Sequence, residues 1–271
     1  MGQDKLGAQD RLGWARARLD RLNNRLHDAL SRSFPLRPFS LPKDRRIISF
    51  TFDDVPDTAE SAGAKILEKY GFHGTFYIAG SLVGSVEAHR QLITEAGLRR
   101  LAEAGHDIGC HTFAHWNVPS VGMSDLAADL DRNHAYLREI EPDRVGRRNF
   151  AYPYCASSVL SRSLFSDRFA TCRSGGERIN RDAVDLAFLE AVEIRQPEQH
   201  AEQLTRWIDD LAANPGWLIF YTHDISDRPT PFGCTPETFE KLVSHAAQSG
   251  AEVLSIRDAL AHLRAEEGAA R

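Results

Sequence analysis

The sequence predicts an α/β barrel, and three observations point to it. From Arg45 onward, short β-branched and aromatic runs alternate with amphipathic helical stretches. Glycines close several of those helical stretches just before the next run. Several of the apolar runs end in ionisable residues. Repeated βα units place parallel strands inside and helices outside. Seven or eight such units point to a barrel, whose chemistry gathers at the C-terminal ends of its strands.

Residues 9–33 come first. Leu12, Ala15, Leu19, Leu22, Leu26 and Leu30 recur at steps of three and four, with Arg11, Arg18, Arg21, Arg25 and Arg32 between them. That is an amphipathic helix with a narrow apolar seam. The seam fits docking on its own domain or on a second copy of the chain, and the basic face fits an anionic membrane surface. The sequence leaves self-association and peripheral membrane contact both open. Pro35, Pro38 and Pro42 form an extended connector. The expected division is therefore helix and connector over 1–43, barrel over 44–264 and a tail over 265–271.

Strands are expected near 46–51, 74–79, 106–110, 148–152, 168–172, 190–194, 217–222 and 252–255. Helices are expected near 58–70, 96–104, 124–139, 199–213, 235–248 and 257–265. Gly71, Gly105 and Gly250 mark helix ends, and Ser124 and Thr235 are expected N-caps.

With 42% hydrophobic residues in 271, the chain can bury a large core. The formal net charge of −5 hides an asymmetry: residues 1–46 balance at +6, leaving −11 for the remainder. An acidic body argues against nucleic acid as partner. Cys110, Cys155, Cys172 and Cys234 are scattered, with no C-x-x-C pair, so neither a disulfide framework nor a zinc knuckle is expected. The N-terminus lacks the apolar core of a signal peptide and no run is long enough to span a bilayer. The expected location is cytoplasmic, soluble or peripheral to a membrane.

The chemistry concentrates in four places. Ile47 to Phe52 reads as a buried strand ending in Asp53 and Asp54, where one carboxylate can hold a metal while the other handles a proton. Next, His111 and His115 follow the run 106–110. One helical turn between them would put both imidazoles on the same side, and a carboxylate would complete a two-His, one-carboxylate metal set. His106, inside that run, is read as structural. His73, His89, His134, His200, His245 and His262 are read as solvated or packed. The third place is Phe150-Ala151-Tyr152-Pro153-Tyr154, and the fourth is the apolar run ending in His223-Asp224. A histidine at a barrel strand end beside a metal is a plausible proton donor. No H-E-x-x-H, G-x-S-x-G, P-loop or G-x-G-x-x-G is present.

Thr51-Phe52-Asp53-Asp54, His111-Thr112-Phe113-Ala114-His115, Phe150 to Tyr154 and the strand ending in His223, in that order and spacing, resemble the polysaccharide deacetylase (NodB-homology, carbohydrate esterase family 4) family. The resemblance covers about residues 45–260. It implies a distorted (β/α)7 barrel, with Asp54, His111 and His115 as ligands of a divalent metal, zinc first and cobalt or nickel as alternatives. It implies Asp53 as general base, His223 as general acid and the Tyr154 backbone N–H as an oxyanion donor. The implied reaction removes an N-acetyl group from an amino sugar or glycan and releases acetate. A cytoplasmic location would favour an activated-sugar, lipid-linked or oligosaccharide precursor over finished polymer. Hydrolysis of another C–N bond, such as a formamide or cyclic amide, and a metal-bearing sugar-binding protein without turnover stay open beside it.

The sequence departs from the family pattern in several places. An Arg normally follows the Phe of the third motif and orients the catalytic Asp; here it is Ala151, and the Gly after the Tyr is Cys155. Arg173 is the expected substitute for the missing guanidinium, with Arg148 a second choice that sits too far down its strand. The Asp-rich fourth motif is not recognisable, and Asp182 and Asp185 lie in its region. Tyr221 replaces the Leu two before the final His. Arg228 and Phe232, after His223, and the stretch Ser81–Thr94 are candidate substrate-facing segments.

Overall fold

The structure is a computed structural model that describes residues 26–195 and 201–269. Its organising strand is β2 (Arg46–Asp53), in which every residue after Arg46 is buried. Eight residues are enough to take two neighbours along one edge. There β10 (Glu252–Val253) pairs with Ile47 and Ile48, and β3 (Thr75–Ile78) pairs with Thr51, Phe52 and Asp53. The other edge pairs with β9 (Gly216–Thr222) from Arg46 to Phe52. The parallel sheet continues from β3 through β4 (Asp107–Cys110) and β5 (Phe150–Ala151) to β6 (Cys172–Arg173), while β8 (Val192–Glu193) lies beyond β9. The sheet curls until its ends meet: Ser174 N–H donates to Leu189 O, and Leu189 N–H to Cys172 O. The stretch 189–193 thus joins β6 at its start and β9 at its end, giving the expected distorted barrel.

Side chains alternate across this sheet, as strand geometry requires. Ile48, Phe50, Phe52, Leu218 and Phe220 pack outward under the helices, in one core with Phe239 and Leu67. Ile47, Trp217, Ile219 and Tyr221 point inward, where Ile256, Ala259, Leu260 and Leu263 of the last helix (Ile256–Ala269) close the base. Trp217 is fully buried and donates its indole N–H to Ser49 Oγ at 2.9 Å. Trp217→Ala should destabilise the fold by about 3–5 kcal/mol, the usual cost of deleting a large core aromatic, read as a lower urea midpoint.

The helices lie close to their expected places, with instructive differences. Thr235 caps its helix by accepting from Thr238 N–H, as expected. Ser124 does not cap: the helix Met123–Ile140 starts earlier, with Gly122 at its N-cap. The first helix opens as a π-helix over Ala59–Ala64 before continuing as α over Lys65–Lys69. Gly71, Gly105 and Gly250 have positive φ (74°, 90° and 76°), as helix-terminating glycines should. Two elements depart from expectation, a helix over Arg162–Arg168 and a small antiparallel sheet that pairs β1 (Pro38–Ser40), in the supposed connector, with β7 (Ala183–Asp185).

Of the N-terminal helix, residues 26–33 are helical, while Leu12, Ala15, Leu19 and Leu22 lie outside the described residues. Its contacts with the barrel are polar: Ser157 Oγ donates to Asp28 at 2.8 Å, and Arg32 pairs with Glu190 at 2.8 Å. Leu26 and Leu30 of the apolar seam are exposed rather than docked. No helix among the described residues is long and apolar enough to cross a membrane.

Candidate active site

Asp53 is the last residue of β2, and His111 and His223 directly follow β4 and β9, all three on the inward phase, so alternation aims them at the barrel mouth. The backbone then bends sharply. Asp54, Val55, Thr112, His115, Tyr154 and Cys155 all have φ between 52° and 59°. They are six of the eight non-glycine residues with positive φ among the described residues. Left-handed backbone is costly for such residues, above all for β-branched Val55, and strain of this kind collects at functional sites.

Asp54, His111 and His115 offer ligand atoms that all lie within 4.8 Å of one another. Asp54 Oδ1 is 3.0 Å from His115 Nε2 and 3.6 Å from His111 Nε2. That oxygen is buried and accepts no hydrogen bond of good geometry. An orphaned carboxylate oxygen facing two imidazole nitrogens is a donor set that a divalent cation would satisfy. His111 Nδ1 donates to Ala151 O at 2.8 Å, which turns the Nε2 lone pair towards Asp54. Burial pushes the His111 pKa down to about 4, so the ring is neutral near pH 7. For Asp54 burial acts against the charge, but His115, His111 and His223 outweigh it and hold the carboxyl below its usual range.

The His111–His115 segment is not the helical turn that the spacing suggested. It is an irregular loop, pinned by Asp129 of the helix Met123–Ile140, whose carboxylate accepts from Phe113 N–H (2.6 Å) and Ala114 N–H (2.9 Å). The two rings end up 5.1 Å apart.

Arg173 meets Asp53. Its guanidinium donates to Asp53 Oδ1 and is fully buried between the rings of Tyr77 and Tyr221, at 5.2 and 4.8 Å. Burial disfavours this charge, but the Asp53 carboxylate, together with Cys155 and Tyr77, outweighs it and raises the guanidinium pKa. The strand register explains the placement, because Ala151 pairs with Arg173 across β5 and β6. The guanidinium absent at 151 thus arrives from the same level, one strand over. Gly109 makes room for the Tyr77 ring, since a Cβ there would lie 2.4 Å from Tyr77 Cδ1. Arg148 does sit low: it bonds Ile108 O, Leu137 O and Glu141.

A cleft of about 440 Å³ opens over these groups, lined also by Tyr154, His223, Phe232, Leu82 and Cys155. His223 Nδ1 donates to Phe232 O at 3.2 Å, leaving Nε2 towards Asp54 Oδ2 at 4.0 Å. The Tyr154 ring leans on His115 at 4.7 Å. Three charged lining residues were not singled out from the sequence. Arg90 donates to Asp54 Oδ2 (2.8 Å) and Glu87 (2.7 Å), leaving Oδ1 to the histidines. Glu193, across the cleft, has its pKa raised, chiefly by burial. Only its inward phase in the run 190–194 could have marked it. Arg228 is not among the lining residues, and neither are Asp182 and Asp185. Asp185 instead anchors Arg162 and the Leu36 and Arg37 amides. The four cysteines are free thiols, and His106 is structural, accepting from Gly74 N–H.

Residues 40–167, which carry the Asp-Asp, His-x-x-x-His and Tyr154 segments, match the polysaccharide deacetylase family model. That segment is similar to polysaccharide deacetylases. Among curated relatives, a bifunctional xylanase/deacetylase from Pseudobutyrivibrio xylanivorans is 22% identical over 51% of this chain and 23% of its own length. A chitin deacetylase from Colletotrichum lindemuthianum is 23% identical over 73% of this chain and 74% of its own. The chain therefore spans less than a quarter of the first relative and about three quarters of the second. A family 4 acetyl xylan esterase from Clostridium thermocellum, solved in complex with a cobalt ion, superposes with a TM-score of 0.55 at 21% identity, covering 78% of this chain and 89% of that one. Likeness at that level establishes the polysaccharide deacetylase fold, and the β6–β9 half beyond residue 167 completes the same barrel.

Proposed function

We propose that this polysaccharide deacetylase-type barrel is a metal-dependent hydrolase that removes the N-acetyl group of an amino sugar within a glycan or glycan precursor, releasing acetate. The observation that carries the reading is the orphaned Asp54 Oδ1 facing His111 and His115, with Asp53 and His223 beside it. Asp54, His111 and His115 would hold the ion, zinc first and cobalt or nickel as alternatives. When bound, such an ion supplies a Lewis acid and lowers the pKa of a water towards about 7.

Asp53, fixed by Arg173, takes the proton of the attacking water. The Tyr154 backbone N–H, carried on a left-handed turn, donates to the carbonyl oxygen as negative charge builds on it. His223 protonates the departing amine, a poor leaving group otherwise, while its Nδ1–H is steadied by Phe232 O. Phe232 and Leu82 form apolar walls of the cleft, and Arg90, Glu87 and Glu193 meet the polar edges of the sugar.

Incubation with N-acetylglucosamine oligomers and their N-formyl analogues, with zinc or cobalt added, tests this reading. Acetate and free amine in equal amounts support it. Formate alone would move the assignment to formamide hydrolysis, and sugar binding without product under every metal would leave a binding protein. Asp129→Ala should lower metal affinity about 10–100-fold, as loss of an outer-shell anchor does, measured by zinc titration. The far-UV spectrum should not change.

A further inference from the structure

At the base of the barrel, away from the catalytic cleft, Arg37, Arg147, Arg257 and Arg264 line a second cavity of about 390 Å³. Arg37 precedes β1, Arg147 precedes β5, and Arg257 and Arg264 lie two turns apart on the last helix. No Asp or Glu is among the lining residues. The formal net charge of the chain is −5, so this cluster does not follow from a generally basic composition.

The four side chains divide into a fixed pair and an unpaired one. Arg37 donates to Phe169 O (2.7 Å), Ala170 O (2.8 Å) and Ser166 O (3.1 Å). Arg257 donates to Gly105 O (2.9 Å) and, through Nε, pairs with Asp258 Oδ1 (3.2 Å). Backbone carbonyls hold both guanidiniums in place; Arg37 meets no carboxylate through its guanidinium, and Arg257 meets one, Asp258, through Nε alone. Arg147 and Arg264 are exposed and make no hydrogen bond or ion pair among the described residues. The charges feel one another: burial lowers the Arg37 pKa, and Arg264 and Arg147 push it the same way. Like charges kept around one concavity, half of them pre-positioned and half with all donors free, make a receptor for an oxyanion. Guanidinium forks match phosphate oxygens in pairs.

We propose that this cavity binds a phosphate-bearing anion, roomy enough for a diphosphate or a phosphorylated sugar, at a site separate from the catalytic cleft. Arg37 and Arg257 form its floor, and Arg147 and Arg264 close on the anion from the rim.

Calorimetric titration of inorganic pyrophosphate into chelator-treated protein at low ionic strength tests the proposal. One-to-one binding is expected, and it should weaken at least about tenfold in the Arg147→Ala/Arg264→Ala double variant, which loses two charge-assisted contacts. Asp54→Ala should bind pyrophosphate as the unmodified protein does, which separates this site from the catalytic one. If alanine lowers the yield of folded protein, Arg147→Gln/Arg264→Gln serves in its place. Where pyrophosphate binds, sedimentation with vesicles of phosphatidic acid and phosphatidylcholine, but not phosphatidylcholine alone, assigns the anion to a lipid headgroup. Pyrophosphate binding without sedimentation assigns it to a soluble compound. Absence of pyrophosphate binding, or equal affinity in the double variant, overturns the proposal whatever the vesicles do.

Discussion

Asp53→Asn should reduce acetate release by roughly 10²–10⁴-fold, the contribution of a positioned general base, while zinc content stays at the unmodified level. Asparagine keeps the shape of the side chain and a carbonyl oxygen for Arg173, but it cannot take a proton from water. Metal content should not follow activity, because the cluster that would hold the ion is Asp54, His111 and His115 and does not include Asp53. His223→Ala should fall in the same range, since it removes the donor to the amine and leaves that cluster intact. Acetate assays paired with metal analysis on the same samples read both effects. Loss of metal together with activity in Asp53→Asn would mean that the two carboxylates do not divide the work in this way.

Arg173→Ala should lower turnover by about 10²-fold, the scale on which a catalytic group displaced by an ångström loses effect. It should also cost about 3–5 kcal/mol of stability, because a buried carboxylate is left without its cation. The side chain is fully buried, Asp53 is almost so, and the guanidinium is clasped by Tyr77 and Tyr221. Water therefore cannot easily replace it. Arg173→Lys keeps the charge and loses the planar fork, so it should recover part of the stability but little of the turnover. Activity at the unmodified level in Arg173→Ala would show that Asp53 needs no such partner. Urea unfolding run beside the assay separates misfolding from misplacement.

Much of this site is legible in the sequence because it obeys local rules. Ile48 to Phe52 alternates apolar with polar, so Asp53 falls on the inward phase by counting, and counting in twos from Trp217 reaches His223. Glycines with positive φ punctuate the helices at Gly71, Gly105 and Gly250. Where reading failed, the cause was distant in the chain. The spacing of His111 and His115 is compatible with one helical turn, but Asp129 captures the Phe113 and Ala114 amides and imposes a loop. Arg173 follows an expected strand, yet only the Ala151–Arg173 register puts it at the level of Asp53. Arg90 carries no motif at all. It reaches Asp54 because Leu92 bridges Pro56 and the Ile93 N–H donates to Val55 O, drawing the 81–94 stretch to the end of β2. The helix Arg162–Arg168 has no side-chain cap at Ser161 and too few residues to show a period.

The most direct measurement is acetate release from an N-acetylglucosamine oligomer by protein stripped with a chelator and then given zinc in equimolar amount. The unmodified protein should lose activity on stripping and regain it with that zinc, whereas Asp54→Ala should stay inactive at every zinc concentration. Undiminished acetate release from protein shown to be metal-free would contradict the account at its centre.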